Sequence, residues 1–371
     1  MKTELATYLD YLGTPDTQMA IPVFQRIYTW GVWQCEELWG DILKAGSSNE
    51  SHFIGTVVFT REEVGASDSV RGVKGLGLTS PDDEPSSEDT ASDCLEEPAG
   101  VKKLFNIVDG QQRTTTIFLL FIALRDYLRK TGQTAGGMSA DDIERDFLYI
   151  EKDGHRTQKF IAAPADKDTL AAVLDKTTMP EDYLASKCVV DNFAFFEGKL
   201  ASADLDQMWR GLRSLYTITI ELESCDNPQF VFESINSKGM SLATIDLLRN
   251  RMFFEQDPET QNRLLEQYWE PLETLFDNDP SQIKFSAALR YWLVCKDRTA
   301  KKYSRFEIYS AFRKYVDANY PADKTEELMA DLLESCKRFK AMLKGQQMKQ
   351  HIDWAEGSEK FDAGSGAALF G

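Results

Sequence analysis

Hydrophobic and polar positions follow strand-like and helix-like periods in turn over the first 60 residues. The run 21–24 (Ile-Pro-Val-Phe) predicts a short edge strand, because proline is tolerated there and not in a central strand. Residues 33–43 carry their apolar side chains on one helical face. The β-branched and aromatic run 52–60 predicts a buried strand.

The same patterns continue through the middle of the chain. Residues 103–108 have strand character, Asp-Gly breaks the strand, and 111–129 predicts a helix with a strongly apolar middle. Further along, the patterns predict strands at 158–163 and 216–222 and helices at 166–174 and 228–235.

The pattern changes to purely helical in the last third. A turn at 236–239 precedes a helix that opens near Ser241 and Thr244 and runs to about residue 254. Amphipathic helices are then predicted at 259–276, 282–296, 304–318 and 324–345. The fold class is therefore α+β, with an α/β core at 1–255, a helical domain at 256–356 and a linker-like tail at 357–371.

Charge is concentrated in one segment. Residues 61–100 are rich in Gly, Ser and Pro, and their eleven acidic and three basic residues account for −8 of the net charge of −18. This composition is typical of a flexible, solvated insertion. The negative total argues against a broad DNA-binding surface, because DNA needs Lys and Arg to neutralise its phosphates. A local basic groove remains compatible with the rest of the chain.

Composition excludes several classes of protein. The six cysteines form no C-x-x-C pair, and with three histidines a Cys/His zinc site is not expected. The longest apolar run, 117–124, is too short to span a bilayer, and the first ten residues lack the apolar core of a signal peptide. Scattered thiols fit a reducing compartment, so we expect a cytoplasmic protein without membrane partners.

The sharpest local feature is the segment 107–116 (Ile-Val-Asp-Gly-Gln-Gln-Arg-Thr-Thr-Thr). Free backbone N–H groups at a helix N-terminus favour anions, and Gly110 allows close approach. Arg113 can grip a phosphate with two parallel hydrogen bonds, and Asp109 can hold a divalent cation. The structural alternative is that Asp109 caps the helix and Arg113 pairs with an acid. The spacing leaves both interpretations open.

A second cluster of aromatic and polar residues occupies 24–30. Gln25, Arg26, Tyr28 and Trp30 combine an amide, a guanidinium and two rings, which can stack on a base and hydrogen-bond its edge. The alternative is an aromatic-rich bend that packs against the following helix, and the local pattern alone favours it.

A third cluster runs from residue 232 to residue 250. Asn236 and Gly239 suit a helix C-cap or left-handed turn, and Lys238 on that turn can reach a phosphate. A purely structural helix–turn–helix has a similar pattern. No Walker A loop, Ser-His-Asp pattern or paired metal-binding His motif is present in the sequence.

In this order the clusters resemble the N-terminal domain of the GmrSD-type, modification-dependent restriction family, including its BrxU-like and phosphorothioate-sensing SspE-like members. The family motifs are I-P-x-[YF]-Q-R-x-Y-x-W, [HY]-F-[LI]-G, V/I-D-G-Q-Q-R-x-T-T and F-x-x-[IL]-N-x-[RK]-G-x-x-L-x-x-x-D-L-[LI]-[KR]-N. They correspond here to residues 21–30, 52–55, 108–116 and 232–250. The departures from the commoner family residues are Phe24, Ile27, Thr114 and Arg249.

The resemblance implies a ParB/sulfiredoxin-like core that binds and hydrolyses GTP or ATP at the D-G-Q-Q-R turn, with Mg²⁺ or another divalent cation at Asp109. The expected catalytic residues are Asp109, Gln111, Gln112 and Arg113. The expected nucleotide-binding residues are Gly110, Thr115, Asn236 and Lys238. Gln25, Arg26, Tyr28 and Trp30 would line either the nucleotide pocket or a cleft for modified DNA, and the sequence does not choose between them.

The predicted function is a nucleoside-triphosphate-hydrolysing sensor module of an anti-phage restriction protein, with modified double-stranded DNA as a partner. Family members usually add a C-terminal HNH nuclease domain, and no His-centred nuclease motif follows residue 255, so cleavage is expected only with a domain absent here. The alternative is a module that recognises modified DNA without nucleotide turnover. Homo-oligomerisation and the role of 61–100 stay open.

Overall fold

The chain divides into two compact units. The first comprises Met1–Leu242 and Arg249–Asn262, and the second comprises Ala243–Leu248 and Arg263–Gly371. The predicted boundary at residue 255 therefore falls inside the second segment of the first unit. This computed structural model describes residues 1–23, 25–48, 50–64, 101–152, 154–178, 185–223, 226, 231, 244–253, 256–276, 283–296 and 307–356.

A six-stranded mixed sheet forms the centre of the first unit, in the order β1-β8-β3-β4-β2-β7. Strands β5 and β6 form a separate antiparallel ribbon. The strands in chain order are β1 (Lys2–Thr7), β2 (Thr17–Ala20), β3 (His52–Glu63), β4 (Lys103–Asp109), β5 (Tyr149–Lys152), β6 (His155–Gln158), β7 (Phe160–Ile161) and β8 (Leu215–Leu222).

The direction of the strands explains how the candidate site is placed. Strand β4 is antiparallel to β3 and parallel to β2, so its last residue, Asp109, lies opposite Val58 near the middle of β3. Strand β8 is parallel to β3 and antiparallel to β1. The turn after β4 and the beginning of β3 therefore lie at the same end of the sheet.

Helices cover this sheet, and α3 is the most deeply buried of them. The helices of the first unit are α1 (Tyr8–Leu12), α2 (Val32–Ser48), α3 (Gln111–Thr131), α4 (Ala140–Ile143), α5 (Pro164–Asp175), α6 (Lys187–Leu200) and α7 (Leu205–Arg213), with a π-helical turn at Glu144–Leu148. Every side chain from 117 to 124 in α3 is at most 1% exposed. A helix that is apolar all round belongs in the interior, as the sequence predicts.

Two glycines let α2 and α7 pack with their backbones in contact. A side chain on Gly46 would collide with the carbonyl oxygen of Gln207, and one on Gly211 would collide with that of Ile42. This contact fixes the end of α7, two residues before β8 begins.

The acidic segment connects neighbouring strands at the other end of the sheet. Strand β3 extends to Glu63, which pairs with Lys103 at the start of β4, and the Val64 N–H donates to the Lys102 carbonyl at 2.9 Å. Residues 65–100 lie outside the described part of the chain. The seven residues of β4, at about 3.3 Å each, separate these attachment points from Asp109 by roughly 20 Å.

The described secondary structure after residue 256 is helical, which confirms an α+β core followed by a helical region. Its core contains the buried side chains of Trp292 and Phe312, and Trp292 donates its indole N–H to Asp331 at 2.9 Å. The segments are Pro258–Leu264, a π-helical stretch Leu265–Trp269, Glu270–Leu275, Ile283–Lys296, Ile308–Asn319, a 3₁₀ turn Ala322–Lys324 and Thr325–Glu356. The helix Thr244–Phe253 is shared between the two units.

Two strand predictions are wrong in detail. The strand expected at 21–24 is instead β2, which ends at Ala20 and lies between β4 and β7 rather than at an edge. Pairing continues only to the Ile21 N–H, which donates to Ile161 at 2.9 Å, because Pro22 has no N–H to extend the ladder. The strand expected at 158–163 is divided between the end of β6 and β7.

Some predictions fall where the structure gives no description. These are Phe24, most of the helix expected at 228–235 and the turn at 236–239. Within the described part of the chain, none of the helices combines the length and the apolar character that crossing a bilayer requires.

Candidate functional site

The candidate site is built on the turn between β4 and α3. Gly110 has a φ of 94°, in the left-handed region, and no side chain caps the first turn of α3. The first hydrogen bond into the helix runs from the Thr114 N–H to the Gly110 carbonyl at 3.0 Å. The three preceding N–H groups, from Gln111 to Arg113, therefore lie at the positive end of a 21-residue helix, which favours an anion.

Gly110 satisfies two requirements at once. Its backbone conformation is one that other residues seldom adopt. A Cβ at this position would also lie 3.1 Å from Cγ2 of Val57 and 3.2 Å from the carbonyl oxygen of Thr56. The turn therefore brings the α3 N-terminus directly against the backbone of β3.

Arg113 extends from this first turn onto β3. Its side chain is half-buried, and Nη1 donates to the Thr56 carbonyl at 3.2 Å. The guanidinium lies over Gly55, which has a φ of 103° and occupies a bulge in the pairing between β3 and β8. In the described part of the chain the Thr56 carbonyl is the one acceptor that Arg113 meets, which occupies one of the five N–H groups of its guanidinium.

The carboxyl group of Asp109 completes the charged part of the site. Burial raises its pKa above the ordinary value of 3.8. The positive charges of Arg113 and Arg26 and the N–H of Gly110 oppose that rise. The positive charges of two arginines thus act on this one carboxyl group at the helix N-terminus.

Gln112 joins α3 to the loop that follows β2. Its Oε1 accepts hydrogen bonds from the backbone N–H groups of Thr29 (2.8 Å) and Trp30 (3.2 Å), and its Nε2 donates to the Ile27 carbonyl at 3.1 Å. We call Ile27 to Trp30 the 27–30 segment. The Gln112 amide is occupied by the backbone of this segment, which makes its role in the structure one of holding the loop.

Gln25 and Gln111 form a second link between this loop and the β4–α3 turn. Gln25 donates from Nε2 to the Val108 carbonyl at 3.2 Å and accepts at Oε1 from Nε2 of Gln111 at 3.3 Å. Both side chains are buried. They tie the loop to the last residues of β4 and the first of α3.

Tyr28 lies in the core rather than on the surface. Its side chain is 3% exposed, and its hydroxyl bonds to Oγ1 of Thr116 at 2.6 Å and Nδ2 of Asn192 at 2.8 Å. Its backbone N–H donates to Asp166 at 2.7 Å. Stacking of Tyr28 on a base would require the ring to leave this position. Arg26 and Trp30, which belong to the same cluster, are half-buried.

The threonines after Arg113 turn their hydroxyl groups back onto the helix. Thr114, Thr115 and Thr116 donate to the carbonyls of Gly110, Gln111 and Gln112 at 3.1, 2.9 and 2.8 Å. Thr115, predicted to bind nucleotide, is 1% exposed. The structure thus gives this residue an internal contact, typical of threonine in a helix.

The remaining predicted site residues, Asn236 and Lys238, lie outside the described residues. The end of the same motif is described in the helix Thr244–Phe253. There Arg249 is buried and its Nη2 donates to the Val23 carbonyl at 3.4 Å, just before the Gln25–Trp30 cluster. The last and first of the four motifs are therefore in contact.

Among the described residues, no group of three His, Cys, Asp or Glu side chains could hold a metal ion. Asp109 fits a Mg²⁺ that arrives with a triphosphate, because such ions are usually bound through one or two carboxylates together with phosphate oxygens and water. A preformed protein cage is not part of the described site.

Sequence reasoning missed Gly55, Thr56, Asp166 and Asn192. A signal existed for Gly55, since glycine inside a strand pattern often marks a bulge or a close approach of another group. None existed for Asp166 and Asn192, which lie on α5 and α6 outside the four motifs and meet Tyr28 only in the folded chain.

Comparison with known families agrees with this geometry. Residues 9–253 match the model of the GmrSD restriction endonuclease, N-terminal domain, which covers about two thirds of the chain. The chain therefore belongs to this family of restriction proteins, and the resemblance carried by the four motifs is confirmed. No curated protein matches the chain.

Proposed function

We propose that this chain is a nucleoside-triphosphate-hydrolysing sensor module of a modification-dependent restriction system, acting in the cytoplasm. The observation that carries the proposal is the arrangement of Arg113, whose guanidinium donates to the Thr56 carbonyl, an oxygen that lies beside Gly110 at the uncapped N-terminus of α3. Membership of the restriction family supports DNA as the partner that is sensed.

The chemistry of phosphoryl transfer fits these residues. Catalysis consists mainly of positioning and of stabilising charge on phosphate oxygens. The N–H groups of the first turn of α3 would bind oxygens of the triphosphate, and Arg113 would stabilise the charge that develops during transfer. The carboxylate of Asp109 would orient the attacking water.

Asp109 would also hold Mg²⁺, which supplies charge neutralisation to the phosphates when it is bound. Arg113 and Arg26, whose charges act on this carboxyl group, would bind phosphate oxygens of the same nucleotide. The nucleotide would be GTP or ATP, since the residues proposed for the site bind the triphosphate and none of them selects a base.

Gln111 and Gln112 enter the proposal as residues that shape the site. Their side-chain amides bind Gln25 and the backbone of the 27–30 segment. They would keep the α3 N-terminus and the loop together, while their backbone N–H groups belong to the anion-binding turn.

The alternative function is recognition of modified DNA without nucleotide turnover. The same two arginines could bind a DNA phosphate, and the exposed side chains of Ile27 and Thr29 lie beside them on the loop. This function requires DNA binding that is independent of nucleotide.

Phosphate release separates the two functions. The full chain is incubated with GTP or ATP and Mg²⁺, alone and with phosphorothioate-containing, base-modified or unmodified duplex DNA. Release above the protein-free rate, lost on chelation of Mg²⁺, supports the proposal. Folded protein that binds modified DNA and releases no phosphate under any condition favours the alternative. Supercoiled plasmid in the same reactions is expected to stay uncut.

A further inference from the structure

The 27–30 segment is held from a second side by a helix that none of the family motifs includes. Asn192, in the middle of α6, is completely buried. Its Nδ2 donates to the Tyr28 hydroxyl at 2.8 Å and to the Trp30 carbonyl at 2.7 Å. The segment therefore lies between the Gln112 amide of α3 and the Asn192 amide of α6.

The chemistry of these contacts requires an amide. The Trp30 carbonyl can only accept, so the atom that faces it must be a donor, and both N–H bonds of the Asn192 amide are used. An aspartate has nearly the same shape, with no donor when ionised and a single donor when protonated. Either form leaves the Tyr28 hydroxyl or the Trp30 carbonyl without its present donor, and so weakens the hold on the segment without changing the volume of the core.

Asp166 on α5 binds the backbone N–H of Tyr28. Its carboxylate accepts the Tyr28 N–H at 2.7 Å and the Ser186 hydroxyl at 2.6 Å. Tyr28 is thus bound at its hydroxyl and at its N–H by two different helices, which fixes both ends of the residue.

Gln112 connects this arrangement to the anion-binding turn. Its Oε1 accepts the backbone N–H groups of Thr29 at 2.8 Å and Trp30 at 3.2 Å. Its own backbone N–H is one of the three that precede the first hydrogen bond of α3. The positive charge of Arg26, two residues before Tyr28, also opposes the rise in the pKa of Asp109. A displacement of Tyr28 and Trp30 therefore disturbs the first turn of α3.

We propose that Asn192 is a positioning residue of the triphosphate site, which holds Tyr28 and Trp30 so that Gln112 and the first turn of α3 keep their place. This inference rests on the proposed function. Asn192 touches no substrate, and its effect passes through the 27–30 segment. Loss of its donors weakens the grip on the nucleotide while Arg113, anchored independently on β3, keeps its place.

The test compares Asn192→Asp with Asn106→Asp in the full chain. Asn106 on β4 is also a buried asparagine, and it donates to Glu62 towards the opposite end of the sheet from the turn at Gly110. For Asn192→Asp we expect the KM for nucleotide to rise about tenfold, the effect of one lost charge-assisted contact, with kcat changed much less. Asn106→Asp should lower the thermal midpoint to a similar extent and leave KM unchanged.

A second measurement does not depend on turnover. Hydrogen exchange at the amides of Thr29 and Trp30, which donate to Gln112, should become faster in Asn192→Asp. Exchange at Met19 and Ile21 in the neighbouring β2 region should not change. If Asn192→Asp does not fold, Tyr28→Phe replaces it, because it removes the hydroxyl group that Asn192 binds.

The outcomes distinguish a failure of the proposed nucleotide hydrolysis from a failure of the positioning role of Asn192. A wild-type chain without turnover removes the proposed function, while the exchange measurement still tests whether Asn192 positions the segment. A wild-type chain with turnover, together with an unchanged KM in Asn192→Asp, overturns the positioning role. Unchanged exchange at Thr29 and Trp30 overturns it as well.

Discussion

The guanidinium group of Arg113 rests on the backbone of Gly55. A Cβ atom on Gly55 would lie 2.8 Å from Nη1 of Arg113 and 3.0 Å from its Cζ. The bulge in β3 thus provides both the space for this side chain and, through the Thr56 carbonyl, the acceptor that orients it. In the described part of the chain, the shape of the backbone rather than a partner side chain determines where the arginine lies.

Gly55→Ala should displace Arg113 and reduce nucleotide turnover about tenfold or more, the scale of a disturbed transition-state contact. The same substitution also forces an alanine into a backbone conformation with positive φ, which lowers the free energy of unfolding by about 1–2 kcal/mol. Gly132→Ala is the matched control, because Gly132 has a φ of 71° and open space around it. It should share the stability loss and keep full turnover. Equal turnover in both variants would show that Arg113 does not depend on Gly55.

Arg113→Ala should reduce turnover on the order of a hundredfold, typical of removing one preorganised donor. Its thermal midpoint should change little, since the described chain offers this side chain a single hydrogen bond. Arg113→Lys should restore little activity, because an ammonium group lacks the planar fork of a guanidinium.

Arg129→Ala is the control for Arg113→Ala on the same helix. Arg129 is 47% exposed and pairs with Asp141 near the far end of α3, so its loss should leave turnover unchanged. Thermal midpoint and turnover are measured on the same preparations. A destabilised but fully active Arg113→Ala variant would remove this residue from the site.

Asp109→Asn should abolish turnover and stabilise the fold at pH 7. Burial raises the pKa of Asp109 in the folded chain, so the folded state binds this proton more tightly than the unfolded state. The free energy of unfolding therefore falls as pH rises from the ordinary pKa of 3.8 to the raised value, and at pH 7 the ionised carboxyl is a stability cost.

Thermal melts of wild type and Asp109→Asn between pH 3 and pH 7 test the sign of this effect. The advantage of the asparagine variant should be largest at neutral pH and disappear near the lower end of the range, where both states of the wild type are protonated. A wild type that is more stable than the variant at pH 7 would contradict the raised pKa.

Deleting residues 65–98 should strengthen non-specific DNA binding at low salt without unfolding the core. The deletion removes most of the acidic charge of the 61–100 segment, and its flanking strands are already joined by the bond from Val64 to Lys102. The DNA affinities of both chains should converge as salt screens the difference. Equal affinity at low salt would show that the segment does not repel DNA.

The position of the site could be read from the sequence because its residues are neighbours in the chain. A strand followed by Asp-Gly and a long apolar helix predicts the turn, and the helix begins at Gln111 as expected. Asp109 and Arg113 are brought together by that local geometry alone. The helical character of the region after residue 258 was predictable for the same reason, since periodicity is a local signal.

What the sequence could not show depends on contacts between distant residues. Tyr28 looks like a surface aromatic in its motif, and only the packing of α3 and α6 around it explains its burial. Three threonines after the Asp-Gly turn look like ligand donors in the sequence, whereas in the helix their hydroxyl groups reach carbonyls four residues back. Strand β1 and helices α6 and α7 carried no motif in the sequence. In the fold, β1 pairs with β8 at the edge of the sheet, α6 binds the 27–30 segment, and α7 packs on α2.

Strand β8 is inserted between β1 and β3, although it is made roughly 150 residues after β3. During translation, β1 and β3 therefore leave the ribosome long before the strand that joins them. The six pairs from Lys2 with Glu221 to Thr7 with Tyr216 cannot form until then. A nascent chain shorter than about 220 residues exposes unpaired strand edges, which are prone to pair with other chains. Completion of the sheet is thus a late event in synthesis, and so is the β3–β8 pairing that forms the bulge at Gly55 beneath Arg113.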